Sequence, residues 1–366
     1  MNKNITYQHQ INHNERIEFI DAMRGFTMIL VVIAHVSGFC LGIESDIPSI
    51  HPYLFEFRMP TFFFISGFVL YKTNQVWNLK NVGLFIKKKF PVQIITTAIF
   101  FLVYLYIKEI SLLDGLYSES KDGYWFTYVL FVYFIVYSAT QFIFHSLHLS
   151  DTIKDILTLC IGIGFYMLFS CRTIYYSLPI DAEIESILSM RYWGYFLFFT
   201  IGTLFRKHYK KIEYYLDDKP AIIVCLMIFF ISNIFYSVLV SSHVTLFNLL
   251  TAITGIILIF SFFRQNQSVF TKDKIIGRCL QYIGRRTLDI YLLHYFLLPT
   301  NLFHLTSFLR GHPMPLVEFC ISLSISLLII GACLLISNVL RMSPTAAYLL
   351  FGVKNKRINE ASNDNM

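Results

Sequence analysis

Apolar runs about twenty residues long, repeated from one end of the chain to the other, decide what it can fold into. A run of that length crosses the hydrocarbon core as a helix, and a helix satisfies its own backbone hydrogen bonds there. Ten such stretches stand out: 20–42, 52–71, 90–107, 124–144, 153–170, 190–205, 220–240, 245–263, 287–304 and 315–340. Composition agrees, since 55% of the 366 residues are hydrophobic and only 14% are charged, too apolar for soluble domains of this length. The longest polar stretches are 206–219, 264–286 and the tail after Phe351, so no separate soluble domain is expected. The expected fold is an all-α polytopic membrane protein of about ten transmembrane helices. Residues 1–352 form one transmembrane domain, and 353–366 form a polar tail expected to be disordered. Residues 1–16 are polar and the first run is long enough to span, so no cleavable signal peptide is expected.

Charge orients the helices. With the N-terminus in the cytoplasm, the inside segments carry 22 of the 30 Lys and Arg residues and the outside segments 6. That asymmetry is the positive-inside pattern, and it places both termini in the cytoplasm. The net charge of +7 is then mostly a topology signal and gives no reason to expect nucleic-acid binding. Seven cysteines lie in or near apolar runs without CxxC or Cys/His spacing, so buried inert thiols are expected and no metal site.

The first helix, "RIEFIDAMRGFTMILVVIAH", is unusual in carrying ionisable residues into the membrane, where they are costly and mostly functional. Arg24 and His35 are eleven residues apart, close to three full turns, so they share a face and are separated by about 16 Å along the axis. Glu18, Asp21 and Arg24 therefore cluster at the inner mouth while His35 sits near mid-membrane. Asp21 is about 21 Å from His35 along the axis and cannot orient it. Arg58 in "PYLFEFRMPTFFFISGFVLY" reaches a similar depth from the second helix, unless it snorkels to the outer headgroups. Ser66-Gly67 permits close helix contact there, and Pro60 loosens the backbone. In "YIGRRTLDIYLLHYFLL", Thr287, Tyr291 and His294 form a polar stripe on one face, and Asp289 is left to solvent or to Arg285 or Arg286. For His35, packing against a neighbouring carbonyl is the competing reading.

Together these segments resemble the membrane acyltransferase-3 family, bacterial ten-helix proteins that O-acylate sugars of surface polysaccharides. Arg16, Asp21, Arg24-Gly25 and His35 match its first-helix signature. "FRMPTFFFISGF" is similar to its second-helix motif, with Arg58 where many members have His. "GYWFTYVLF" resembles its Trp-Phe approach to the fourth helix, and "YIGRRTLDIYLLHYF" its late helix ending in His. One departure is "FIKKKFPVQIITT", where three lysines replace the usual arginines of the third helix and lose their bidentate fork.

The resemblance implies a single transmembrane acyltransferase domain in a bacterial inner membrane. It also implies acyl-CoA, most commonly acetyl-CoA, as co-substrate, with no bound cofactor. Arg16, Arg24 and Lys87, Lys88 and Lys89 would hold the CoA phosphates at the cytoplasmic mouth, with Asp21 also in the donor-binding set, although positive-inside anchoring also accounts for the lysines. His35 would be the general base, with Arg58, Tyr291 or His294 stabilising the oxyanion. Tyr124 and Trp125 could stack on a sugar or lipid-linked saccharide acceptor, or only anchor a helix end among the lipids. A polysaccharide or lipid-linked-sugar transporter is the rival class, against which no inverted repeat or interrupted helix pair is found. Acceptor, acyl length and homo-oligomeric state stay open.

Overall fold

The computed structural model describes residues 17–42, 51–238, 244–300 and 314–353, together with 302, 305, 307–309 and 312. Arg16 and the tail from 354 onward lie outside them. Every regular element among the described residues is helical. Helix α1 (Glu18–His35) runs directly into a π-helical turn, Val36–Cys40, and α2 spans His51–Leu70. Helix α3 (Leu79–Phe90) continues through a second π turn, Pro91–Ile95, into α4 (Thr96–Lys108). Helix α5 (Leu112–Tyr117) and a 3₁₀ turn, Lys121–Gly123, lead to α6 (Trp125–Ser146) and then α7 (Asp151–Ser170). Short α8 (Arg172–Tyr175), α9 (Ala182–Leu188) and the 3₁₀ turn Met190–Tyr195 precede α10 (Phe196–Lys207). There follow α11 (Tyr209–Asp217), α12 (Lys219–Val238), α13 (Val244–Gln265), α14 (Ile275–Arg285) and α15 (Thr287–Leu293), which ends in a 3₁₀ turn, His294–Leu297. Helices α16 (Pro315–Leu340) and α17 (Pro344–Phe351) close the described chain.

Local chemistry sets several of these boundaries. Asn78 caps α3 by accepting from the Asn81 amide at 2.8 Å, and Gly352 ends α17 in the left-handed conformation that glycine adopts at least cost. Pro91 has no N–H to return to the preceding turn, and the backbone there widens so that the Thr96 amide bonds back to the Pro91 carbonyl.

Among the described residues, six helices are long and apolar enough to cross a membrane, or seven if α11 and α12, bent by 82°, count as one broken span. The ten expected stretches are thus not all straight apolar rods. The stretch 190–205 is a 3₁₀ turn followed by a twelve-residue helix. The described part of the stretch 287–304 is α-helical to Leu293 and 3₁₀ from His294 to Leu297. Conversely, α14 lies inside the segment 264–286 expected to be a loop. Its Arg278 and Arg285, with Lys274 just before its first turn, set it apart from the apolar runs.

Helix α1 is the central column, with 78% of its span buried against 17% for α7, whose surface is left to lipid. It packs along α14, α2 and α16, while α2 packs along α10 and α13. The tightest seams are backbone to backbone. A Cβ on Gly25 would stand 2.0 Å from the Leu280 carbonyl oxygen, and one on Gly284 1.9 Å from that of Asp21. Gly67 and Gly202 make the same reciprocal approach between α2 and α10. Small residues at such crossings let membrane helices associate closely, and here they fix how α14 and α10 sit against the two helices that carry the ionisable residues.

Candidate active site

A cavity of about 990 Å³ opens among α1, α2, α3, α6, α14 and α15. Arg24, Met28, Val31 and His35 all line it. These positions are spaced by four, three and four residues, so a single face of α1 forms one wall from end to end. Arg24 and His35 share that face as expected.

One end of the cavity is basic. Arg24, Lys72, Lys88, Lys89 and Arg285 line it together. The Lys89 ammonium lies 4.5 Å from the Phe134 ring and is within electrostatic reach of Lys88, Arg24 and Lys72. Like charges converging on one space are costly unless something anionic joins them. Lys87 is exposed and does not line the cavity, so the three lysines are not equivalent. Asp21 does not line it either. It is 6% exposed and pairs with Arg285 at 3.7 Å, which makes it a support for that arginine. Glu18 accepts from the Lys272 amide at 3.1 Å and the Gln281 side chain at 3.4 Å, tying the start of α1 to the approach to α14.

The other end holds His35, Arg58, Tyr195, Tyr291 and Tyr295. Arg58 therefore faces the cavity that His35 faces, and it does not snorkel to a lipid headgroup. The Tyr295 hydroxyl is 3.4 Å from His35 Nε2. Tyr291 donates its hydroxyl to the Gly123 carbonyl at 3.0 Å and accepts from the Phe126 amide at 3.2 Å, stapling the loop before α6 to α15. That loop fits tightly. Gly123 has φ +101°, and a Cβ there would meet the Tyr295 ring at 2.0 Å.

Trp125 lines the cavity, stacked on Tyr192 with ring centroids 3.7 Å apart. Tyr124 points the other way. It is 1% exposed and donates its hydroxyl to the Leu292 carbonyl at 3.0 Å, so its place is in the core. His294 also lies behind the wall, fully buried, with Nδ1 2.9 Å from the Ile290 carbonyl. From there it cannot reach an oxyanion in the cavity directly. Asp289, far from solvated, is 1% exposed. Arg341 clamps it with bonds of 2.8 and 2.7 Å, helped by Arg286 at 3.3 Å and by the Ser337 hydroxyl.

One space thus joins a cluster of cations to a histidine, an arginine and three tyrosines. Comparison with known proteins matches residues 17–336 to the acyltransferase-3 family, whose shared region is described as an acyltransferase domain. The chain belongs to this family. No curated protein and no solved structure matches it. This multi-pass membrane acyltransferase contains site-lining residues that its sequence did not single out, namely Lys72, Gln93, Tyr192, Tyr195, Arg285 and Tyr295. Tyr295 carried a usable signal, because 287, 291 and 295 recur every four residues. Gln93 is brought inward by the π turn at Pro91, and its amide oxygen is buried without a hydrogen-bond partner among the described residues.

Proposed function

We propose that this acyltransferase moves an acyl group from acyl-CoA, admitted at the basic end, to a hydroxyl of a surface polysaccharide or its lipid-linked precursor near His35. The observation carrying this reading is the arrangement of charge along the cavity: five cations, Arg24 among them, and an imidazole about 16 Å farther along the Arg24 face of α1. That separation suits a donor whose phosphates and reactive carbon lie at opposite ends of a long thin arm, as in CoA. The basic end then faces the cytoplasm, where CoA is found, in keeping with the distribution of Lys and Arg. The arm between is fairly apolar with two amides. The middle of the cavity offers Met28, Val31, Phe62 and Phe126, with Gln93 available for an amide N–H.

In this reading His35 removes the acceptor hydroxyl proton as the oxygen attacks the thioester carbon. Arg58, with the Tyr295 or Tyr195 hydroxyl, donates to the oxyanion. The intermediate collapses with cleavage of the C–S bond, and the CoA sulfur leaves with the proton that His35 had taken. An ester and free CoA result. Trp125 and Tyr192 present a flat aromatic face to the same space, suited to a sugar ring.

The test is incubation of membranes containing the protein with acetyl-CoA labelled in the acetyl group. Alkali-labile label in the carbohydrate fraction is expected, absent when His35 is replaced. Label confined to acetate or to unreacted acetyl-CoA, with glycan crossing the membrane undiminished, would favour a transporter instead.

A further inference from the structure

Two imidazoles meet at the cavity wall, His35 lining it and His294 behind it. The rings of His35 and His294 are 5.1 Å apart, centroid to centroid, and nearly perpendicular at 82°. Each has one buried ring nitrogen with no hydrogen-bond partner among the described residues: Nδ1 of His35 and Nε2 of His294. The other nitrogens are accounted for. His294 Nδ1 lies 2.9 Å from the Ile290 carbonyl oxygen, which can only accept, so Nδ1 carries the hydrogen. A neutral His294 then holds a bare lone pair at Nε2. His35 Nε2 faces the Tyr295 hydroxyl at the cavity. The two unpartnered nitrogens need opposite things of each other, a proton on one and a lone pair on the other. Two imidazoles sharing a linear N–H···N bond have centroids about 5 Å apart, which is the separation found, so the spacing of the two rings suits such a bond.

We propose that His294 is a positioning residue for the base: its Nε2 accepts the Nδ1–H of His35, fixing His35 as the tautomer whose Nε2 is bare toward the cavity. The inference rests on the reading of His35 as general base. Histidine bases are ordinarily oriented through the second ring nitrogen by a carboxylate or a carbonyl. A carboxylate behind the wall would carry a charge into the core, whereas an imidazole locked by its own backbone carbonyl orients His35 without one. It also gives the proton that arrives on His35 during the reaction a hydrogen-bonded partner on the far side of the ring. Gly123 completes the arrangement, because the space left by its missing side chain is filled by Tyr295, which sits between the α6 loop and His35.

The test uses two replacements that split the functions of His294. Asparagine keeps a donor near the Nδ1 position for the Ile290 carbonyl and loses the distal acceptor; glutamine places an amide oxygen near Nε2 and loses the donor. Transfer of label from acetyl-CoA into membrane carbohydrate is measured for both, as kcat and KM separately. His294→Asn should lower kcat about 10- to 100-fold at unchanged KM, with His294→Gln restoring most of that loss. Equal losses in both, or a larger loss in Gln, would mean that the Ile290 bond is what matters and would overturn the proposal. Nitrogen NMR of the ¹⁵N-histidine-labelled wild-type protein in nanodiscs, assigned by the signals missing from His35→Gln, needs no folded His294 variant. It should show His35 protonated at Nδ1 and bare at Nε2; the opposite tautomer overturns the proposal whatever the kinetics. Retained transfer by His35→Gln would instead defeat the general-base reading, while leaving the wild-type tautomer result to stand.

Discussion

Replacing Lys87, Lys88 and Lys89 by Gln, one at a time, should give three different donor affinities from three adjacent lysines. Lys87 is exposed and off the cavity, so its loss should leave the apparent KM for acetyl-CoA unchanged. Lys88 lines the cavity but stays exposed. Its attraction for a phosphate is screened and worth about 0.2–1 kcal/mol, or roughly a 1.4- to 5-fold rise in KM. Lys89 is half-buried against Phe134, where a hydrogen bond to a charged group is worth about 1.5–3 kcal/mol, a rise of roughly 10- to 150-fold. In all three kcat should hold, because phosphate binding far from the thioester contributes equally to ground and transition states. Initial rates of labelled acetyl transfer at low and high KCl provide the assay, and the Lys88 effect should shrink most with salt. Lys89→Gln also removes the repulsion of Lys88, Arg24 and Lys72 from the donor-free protein, so that variant should not be less stable in detergent. An unchanged KM in Lys89→Gln, or a Lys87→Gln defect as large as that of Lys89→Gln, would show that these lysines only anchor topology.

Three further outcomes follow from the same geometry. His35→Gln keeps bulk and hydrogen-bonding capacity but no titratable nitrogen; it should insert normally, as gel filtration can show, and lose about 10²- to 10⁴-fold in kcat. An active, monodisperse variant would remove His35 from the chemistry. Gly25→Ala places a methyl 2.0 Å from the Leu280 carbonyl oxygen and should cost about 1–3 kcal/mol, lowering the unfolding midpoint in detergent. Gly331→Ala, with nothing within 4 Å, is the control, and equal midpoints for the two would contradict the close α1–α14 seam. Asp289→Asn leaves Arg341 and Arg286 facing a neutral amide in a buried setting and should cost about 3–5 kcal/mol. A variant as heat-stable as the parent would refute that assignment of the clamp.

Which parts of this site could be read from the sequence has a physical explanation. Arg24, Arg58 and His35 were legible because a charged or titratable group inside an apolar run needs a reason to be there, and their depths follow from helical rise alone. Tyr291 was legible as part of a polar stripe. Helix α14 was not, since eleven residues bearing Arg278 and Arg285 fail any test for a membrane span. Its role is set by the Gly25–Gly284 seam, which depends on two distant segments meeting. Of the partners of Asp289, Arg286 was in view from the sequence and stands 3.3 Å away, but Arg341 was not, being 52 residues away in the chain.

The aromatic residues failed to stand out for a different reason. In a chain with 37 Phe and 23 Tyr, a ring that faces a cavity, a ring that anchors a helix end and a ring that fills the core look alike in one dimension. Neighbours 124 and 125 show it: Trp125 reaches the cavity while Tyr124 bonds the Leu292 carbonyl behind it. What separates them is the irregular backbone around the site. Asp122 at φ +50°, Gly123 at φ +101°, the π turns after His35 and at Pro91, and the 3₁₀ turn at His294 all border it. Each departs from the regular repeat on which sequence periodicity rests, and irregular backbone is tolerated at membrane depth where it is buried in protein or lines a cavity. The helical repeat therefore predicts the wall built by α1, whose α-helical turns are continuous from Glu18 to His35. It loses the opposite wall, because there the irregular turns decide which ring faces His35.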